Sequence, residues 1–416
     1  MQPSLGGELL TNEEKRVPVY LSDGSPTIAH TVTPNTPLSE LNLNWREKEL
    51  PEKERTKHVH RLHPYLGKYI PQLVEIFLRK YFTAGQTVLD PFCGSGTTLV
   101  QANELGVHSI GYDVSAFNVM LCRVKTAKYD LAKVRKEVLD ILEKVQSATQ
   151  KPAATPGLSD DELIEQAHLT EDNAYLKEWF APRALNELLT FRDLIPNYSY
   201  QDLLKVILSR SARSSRLTTH FDLDFPKRAQ TEPYYCYKHS RTCAPTARAF
   251  QFLRRYCLDS IKRIEEFASR RTGAKVEIHH GDSRQGKFPQ VDGVITSPPY
   301  VGLIDYHEQH AYAYHLLGLR DQREKEIGAA ANGSSRKARV LYQEDIAGVF
   351  RRLSERLKPG GRMIVVAGDR ANLYGDIANM AGVEVEATVL RHVNRRTGRR
   401  SGEFYESVFI WRKPAA

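Results

Sequence analysis

Cysteine is scarce in this chain. Five cysteines among 416 residues, widely spaced, offer no disulfide framework and point to a reducing compartment. Long apolar runs are missing as well. None reaches the length a bilayer span requires, so we expect no membrane association. The first residues, MQPSLGGELLTNEEKR, lack the basic-then-apolar order of a secretory leader, and we expect a cytoplasmic protein. No internal repeat is present. The chain itself is too long for one ordinary core. It is 41% hydrophobic and 26% charged, with a mean hydropathy of −0.46. The net charge of +9 favours a polyanionic partner only where the charge is clustered.

Hydrophobic periodicity divides the chain. Residues 1–57 are rich in Pro, Thr, Ser and charge, and read as an arm lying against something else. Helical spacing begins in HPYLGKYIPQLVEIFLRKYF (63–82), followed by a short buried strand, TVLDPF. A glycine loop, a helix over 97–106 and a second strand over 108–115 follow. This order is half of a doubly wound nucleotide-binding sheet. Residues 131–147 and 172–209 read as amphipathic helices, 210–245 as irregular, basic and aromatic, and 246–270 as a helix. Strands return at KVEIHHGDS (275–283), DGVIT and within 356–368, and 383–413 reads as a closing hairpin. The expected organisation is an α/β catalytic domain, 58–127 with 272–416. A mainly helical, basic insertion, 128–271, interrupts it, and we expect that insertion to recognise the target, above all through 205–245. The segment IGAAANGSSRKAR (327–339) is a loop by composition that would close over a substrate or link two elements.

The glycine loop is DPFCGSGTT (90–98). Gly94 and Gly96 permit a tight turn and close approach of a ligand. A dinucleotide fingerprint needs a third small residue where Leu99 stands, and a phosphate loop needs Gly-Lys-Ser/Thr, which is absent. The loop therefore suits a cofactor without a pyrophosphate. Asp113 ends the second strand, where a carboxylate commonly binds ribose hydroxyls.

These stretches resemble the motifs of S-adenosylmethionine-dependent DNA methyltransferases that modify exocyclic amines. VLDPFCGSGTT is similar to their motif I, GYDVS to the acidic second motif, HGDS to the third, TSPPY to the catalytic motif and HPYLGKYI to motif X. The resemblance implies a Rossmann-like methyltransferase fold with a mostly parallel sheet and a C-terminal antiparallel hairpin. It implies S-adenosylmethionine as cofactor, with Asp90, Phe92, Gly94 and Gly96 along its methionine part. Asp113 would hold the ribose, Asp282 would accept from the adenine amine, and Lys68 would lie near the carboxylate. Pro91, Thr97, Thr98, Val114 and Ser283 complete the implied site.

The catalytic residues implied are Ser297, Pro298, Pro299 and Tyr300. An exocyclic amine is a poor nucleophile because its lone pair is delocalised into the ring. Two acceptors aimed at its hydrogens favour a more pyramidal nitrogen. The Ser297 oxygen and the Pro298 carbonyl are suited to this, and the prolines hold them in place. Tyr300 is suited to stack on a base flipped out of double-stranded DNA. In this family Asp or Asn at the first position usually accompanies adenine-N6 chemistry and Ser cytosine-N4 chemistry. The expectation is cytosine N4, with adenine N6 as the alternative. An RNA amine methyltransferase or an inactive nucleic-acid-binding module are alternatives of another class. Many Ser-Pro-Pro-Tyr enzymes place the catalytic motif before the glycine motif. This chain reverses that order, so the family's usual placement of its recognition domain does not transfer.

Basic clusters complete the reading. RHVNRRTGRR (391–400) contributes Arg395, Arg396, Arg399 and Arg400 as expected phosphate contacts. Arg210, Arg213 and Arg216 recur at three-residue spacing, and Lys227 and Arg228 precede a run rich in tyrosine. All are expected DNA contacts, and the protein would then associate with the nucleoid. A restriction endonuclease acting on the same site is the partner such an enzyme would have, although no residue points to it. Cys236, His239 and Cys243 invite a zinc reading, but a closed site wants four ligands and the sequence shows no convincing fourth. No metal is expected.

Overall fold

The computed structural model describes residues 17–150, 172–223, 226–302, 305–329, 333–393 and 404–414. Among the described residues ten strands are formed in chain order: β1 (Val19–Tyr20), β2 (Thr87–Asp90), β3 (His108–Asp113), β4 (Tyr234–Cys236), β5 (Arg241–Cys243), β6 (Val276–His280), β7 (Val291–Thr296), β8 (Leu357–Ala367), β9 (Glu384–Val393) and β10 (Phe404–Arg412). Eight of them make one sheet in the order β1-β9-β10-β8-β7-β2-β3-β6, while β4 and β5 pair separately. Within the large sheet β10 is antiparallel to both β8 and β9, and the other pairings are parallel. This is the expected Rossmann-like, mostly parallel sheet, closed by an antiparallel hairpin. The chain leaves β2 toward β3 on one side and returns at β7 on the other, so the order reverses beside β2. Ligands of doubly wound sheets bind at the carboxyl ends of strands at such a point.

The central strands are short and nearly continuous in apolar side chains because both faces are covered. Val88, Ile295, Ile364, Val389, Val408 and Ile410 pack on one face with the helix Pro71–Tyr81, and Leu89, Val294, Met363, Val365 and Trp411 on the other with the helix Arg336–Arg356. The helix expected over 63–82 starts only at Pro71, which occupies its first turn with Ile70 extended before it. Proline is preorganised for that position and disfavours helix in the residue preceding it. The helix Arg336–Arg356 likewise begins inside the expected loop, with the Ser335 hydroxyl accepting from Ala338 N at 3.2 Å.

Two expectations are corrected. Residues 17–57 lie on the chain's own core. Leu41, Leu43 and Trp45 are buried against the sheet's Val88 and Ala387, and β1 adds a parallel edge strand beside β9. The helices between Leu131 and Ala268 also share one apolar cluster with Phe117, Leu121 and Val124 of the helix that follows β3. The inserted helices thus extend the helical layer that packs beside the sheet.

The helix Gln201–Ser215 runs past the point where irregular structure was expected, and it turns Arg210 inward. Arg210 pairs with Asp259 at 2.6 Å and lies 4.1 Å over the Tyr256 ring. Arg216 is buried 4.6 Å from the Tyr312 ring and donates to the Leu223 carbonyl at 2.6 Å. Neither has the exposure a phosphate contact requires, because helical spacing placed them on the packed face. Replacing Arg210 with Ala leaves Asp259 with only Arg263 and is expected to cost about 2–3 kcal/mol. Denaturant unfolding should show that loss, while the salt dependence of DNA binding stays as in the parent.

Candidate active site

The residues immediately after β2, β3, β6 and β7 converge on one cavity, a concave site of the kind that small ligands occupy. Lys68, Pro91, Phe92, Gly94, Thr97, Asp113, Val114, Asp282, Ser283, Ser297 and Pro299 line it. The glycine loop and the Ser-Pro-Pro-Tyr segment, roughly 200 residues apart in sequence, are therefore walls of the same space.

Gly94 and Gly96 have φ of +48° and +78°. A Cβ on Gly94 would meet the Tyr65 hydroxyl at 3.2 Å, and one on Gly96 would meet Cys122 Sγ at 2.9 Å. The loop is held open by fixed hydrogen bonds. Asp113 accepts from Gly94 N at 2.8 Å, Ser115 N at 2.8 Å and Asn118 Nδ2 at 3.1 Å. Burial nevertheless pushes its carboxyl above the usual range. Lys125, fully buried, donates to Ser95 O at 2.7 Å, and burial lowers its pKa to about 8. Nothing in the sequence marked that lysine.

Asp90 does not line the cavity. It is 1% exposed and accepts from Thr296 Oγ1 at 2.6 Å, Thr98 Oγ1 at 2.7 Å, Phe92 N at 3.1 Å and Tyr69 Oη at 3.2 Å. Burial raises its pKa to about 6 against those four donors. Gly96 and Thr98 also lie behind the wall, and Thr98 serves Asp90. Asp282 reaches the cavity with both carboxylate oxygens bonded to Arg284. Ser283 donates to the Pro91 carbonyl, which ties the third motif to the first. Lys68 donates to His60 O at 2.9 Å.

Pro298 is buried, and neither it nor Tyr300 is among the residues that line the cavity. Tyr300 is half-buried and donates to Glu406 on β10 at 3.1 Å. Glu406 in turn pairs with Arg391 of β9 at 3.1 Å. Burial first, and Glu406 second, hold the Tyr300 hydroxyl well above its ordinary pKa. The Tyr300 ring lies beside Gly368, just past the end of β8, where even a Cβ would make only an ordinary 3.6 Å contact with it. Sequence reasoning missed Tyr65, Asn118, Tyr306, Glu326 and Ile327, which also line the cavity. Tyr65 and Tyr306 stack at 5.6 Å. Tyr65 lies inside the motif X resemblance and was within reach of that reading. Tyr306 and Glu326 belong to no motif and arrive only through folding.

Comparison with known proteins adds to this geometry. A family described as DNA methylase matches residues 24–122, and an RMKL-like methyltransferase domain matches 78–176. The type II methyltransferase M.MjaII of Methanocaldococcus jannaschii is 38% identical, over 86% of this chain and 81% of that protein. The chain belongs to the S-adenosylmethionine-dependent DNA amino-methyltransferases. The methyltransferase is also 23% identical to M.BsoBI of Geobacillus stearothermophilus, over 66% of its own length and 56% of that protein's. A solved structure, TrmN from Thermus thermophilus, overlays at a TM-score of 0.32 and 14% identity, over 84% of this chain and 50% of that one.

S-adenosylmethionine is the methyltransferase's cofactor, and the cavity fits it. Ser95 Oγ, Thr97 Oγ1 and Asn118 Oδ1 are buried at the cavity wall with no hydrogen-bond partner among the described residues. Groups of that kind require a partner from a ligand or water. Among the described residues no helix is long and apolar enough to cross a membrane. Lys227 and Arg228 are exposed and Arg213 is half-buried. Arg395, Arg396, Arg399 and Arg400 lie outside the described residues.

Two expectations follow from the loop. Gly96→Ala should lower stability by about 1–3 kcal/mol in thermal unfolding, from left-handed backbone and the Cys122 contact. Asp90 binds its proton more tightly folded than unfolded. Its contribution to stability is therefore present below about pH 4 and lost as pH rises through about 6. Urea titrations should show wild type losing stability relative to Asp90→Asn across that window, with a constant difference above it.

Proposed function

We propose that this methyltransferase transfers a methyl group to the N4 amine of cytosine in double-stranded DNA, acting on a base flipped out of the duplex. The observation that carries the proposal is the shared cavity. Ser297 and Pro299 face the same space as Gly94, Asp113 and Asp282. In this reading the Ser297 hydroxyl is an acceptor for the amine beside the cofactor site. When bound, S-adenosylmethionine supplies an activated methyl group on a positively charged sulfur, so the protein's task is chiefly alignment.

In this reading Asp113 holds the ribose and the unpartnered Ser95, Thr97 and Asn118 oxygens take up cofactor donors or waters. Asp282, fixed by Arg284, serves the adenine edge, and Lys68 serves the carboxylate end. Pro91, Phe92 and Val114 supply apolar walls. The Ser297 hydroxyl and the Pro298 carbonyl accept the two amine hydrogens. Tyr300, tethered through Glu406, offers its ring to the base without rotamer search. A neutral serine acceptor that also donates matches the N3 edge of cytosine, which favours N4 over adenine N6. Lys227, Arg228 and the arginines of 395–400 supply phosphate contacts. The likeness to type II methyltransferases suits protection of DNA from an endonuclease that cuts the same sequence.

Nucleoside mass spectrometry of duplex DNA treated with the enzyme should show N4-methylcytosine. N6-methyladenine instead would overturn the base assignment. Ser297→Ala is expected to reduce turnover about 10²–10³-fold. Tyr300→Ala removes a stacking face worth about 1–3 kcal/mol, whereas Tyr300→Phe should be milder because it keeps the ring and loses only the Glu406 bond. All three should bind S-adenosylmethionine as the parent does. Asp113→Ala should weaken that binding about 10–100-fold in calorimetry, the scale of hydrogen bonds to a charged group.

A further inference from the structure

The small hairpin β4–β5 has no evident means of holding itself together. Each strand has three residues, and an isolated two-stranded hairpin is marginal in water. Its outward side chains are apolar and exposed: Tyr235 at 55% and Tyr237 at 77%, with Phe221 alongside at 62%. Cys236 is nevertheless completely buried and Cys243 nearly so. Neither belongs to any of the protein's hydrophobic clusters. What surrounds them is histidine. His220, Cys236, His239 and Cys243 bring one nitrogen or sulfur each to within 4.8 Å of one another.

The separations are those of a coordination shell. His220 Nδ1 lies 3.3 Å from Cys236 Sγ, and His239 Nδ1 lies 3.6 Å from Cys236 Sγ and 3.5 Å from Cys243 Sγ. Zinc binds imidazole nitrogen at about 2.0–2.1 Å and thiolate at about 2.3 Å, which makes the edges of a tetrahedron about 3.3–3.8 Å. Two residues separate Cys236 from His239 and three separate His239 from Cys243. The turn between them puts Ser240 at φ +50°, a strained conformation for serine that something must hold. The sequence offered three candidate ligands, Cys236, His239 and Cys243, and no fourth. The fourth, His220, lies 16 residues before Cys236. Its loop is pinned where Leu217 N donates to Trp179 O at 2.7 Å and Gln230 N to Leu217 O at 2.8 Å.

We propose that His220, Cys236, His239 and Cys243 form a structural zinc site that folds the β4–β5 hairpin. Two thiolates and two imidazoles in a tetrahedron suit zinc among the common divalent ions, and with four protein ligands the shell is closed and structural. None of the four lines the cofactor cavity. The bound ion clamps the 220s loop to the hairpin. It thereby presents Phe221, Tyr235 and Tyr237 beside Lys238 and Arg241 as a rigid aromatic and basic surface. The use of that surface for DNA rests on the DNA-methyltransferase reading, whereas the metal site does not.

The full-length protein, purified under reducing conditions, should contain about one zinc per chain by elemental analysis. Replacing the zinc with cobalt should give the ligand-field absorption of a tetrahedral centre together with thiolate charge-transfer bands. The double variant Cys236→Ser, Cys243→Ser should lose the metal, and His220→Ala should bind it more weakly, both with S-adenosylmethionine affinity unchanged as proof of a folded catalytic layer. Chelation should open the chain to protease between 220 and 243. The proposal is overturned if reduced wild-type protein holds no zinc after reconstitution, if the double serine variant keeps its zinc, or if Cys236 and Cys243 are found as a disulfide in freshly isolated protein. Loss of DNA binding in the double variant would support the surface's role. Unchanged DNA binding with metal lost would overturn that role and leave the site standing.

Discussion

One buried carboxylate organises the active site. Asp90 sits at the end of β2, where the sheet order reverses, and takes hydrogen bonds from four parts of the chain. Thr98 lies in the first turn of the helix after the glycine loop, Phe92 N belongs to the loop, Thr296 directly precedes Ser297, and Tyr69 comes from the segment before β2. A carboxylate in so dry a place is unfavourable unless its oxygens are satisfied. Those oxygens are satisfied when the glycine loop and β7 stand in one particular relation. The same burial that raises the proton affinity of Asp90 makes the group an alignment device.

A second chain of contacts braces Tyr300 from the far side. Tyr300 reaches Glu406, Glu406 reaches Arg391, and the Arg391 guanidinium lies 5.7 Å from the Trp45 ring. Asn44 Oδ1 accepts from His392 N at 2.6 Å. The N-terminal segment is thereby part of the support for the active site. Its Trp45 and Asn44 hold the closing hairpin that carries the glutamate. A rigid tyrosine suits chemistry in which the protein contributes position more than reactivity.

Around this centre the fold separates tasks. The parallel strands and their apolar faces bear the stability. The cavity at their carboxyl ends keeps unpartnered oxygens for a ligand. The hairpin β4–β5 lies outside both, with thiols and imidazoles gathered where no hydrophobic packing holds them. Polar clusters of that composition are explained by a ligand more readily than by packing.

The sequence by itself determined the local chemistry of this protein. DPFCGSGTT, GYDVS and TSPPY each sit on consecutive residues at a strand end, and consecutive residues keep their relation whatever the rest of the chain does. The alternation of strand and helix around them was legible for the same reason, since periodicity is a local property. The tertiary structure decided everything that depends on residues far apart. It turned Asp90 from an expected cofactor contact into an internal tie, because the cavity wall formed from Pro91 and Phe92 instead. It buried Arg210 and Arg216, since equal spacing along a helix marks a face without saying which way that face turns. It laid the N-terminal segment on the chain's own sheet, where Leu41, Leu43 and Trp45 found apolar partners that composition could not reveal. It also brought His220 to Cys236, His239 and Cys243, a juxtaposition set by where the helix Gln201–Ser215 ends and its loop is pinned, and so invisible to any reading of spacing alone.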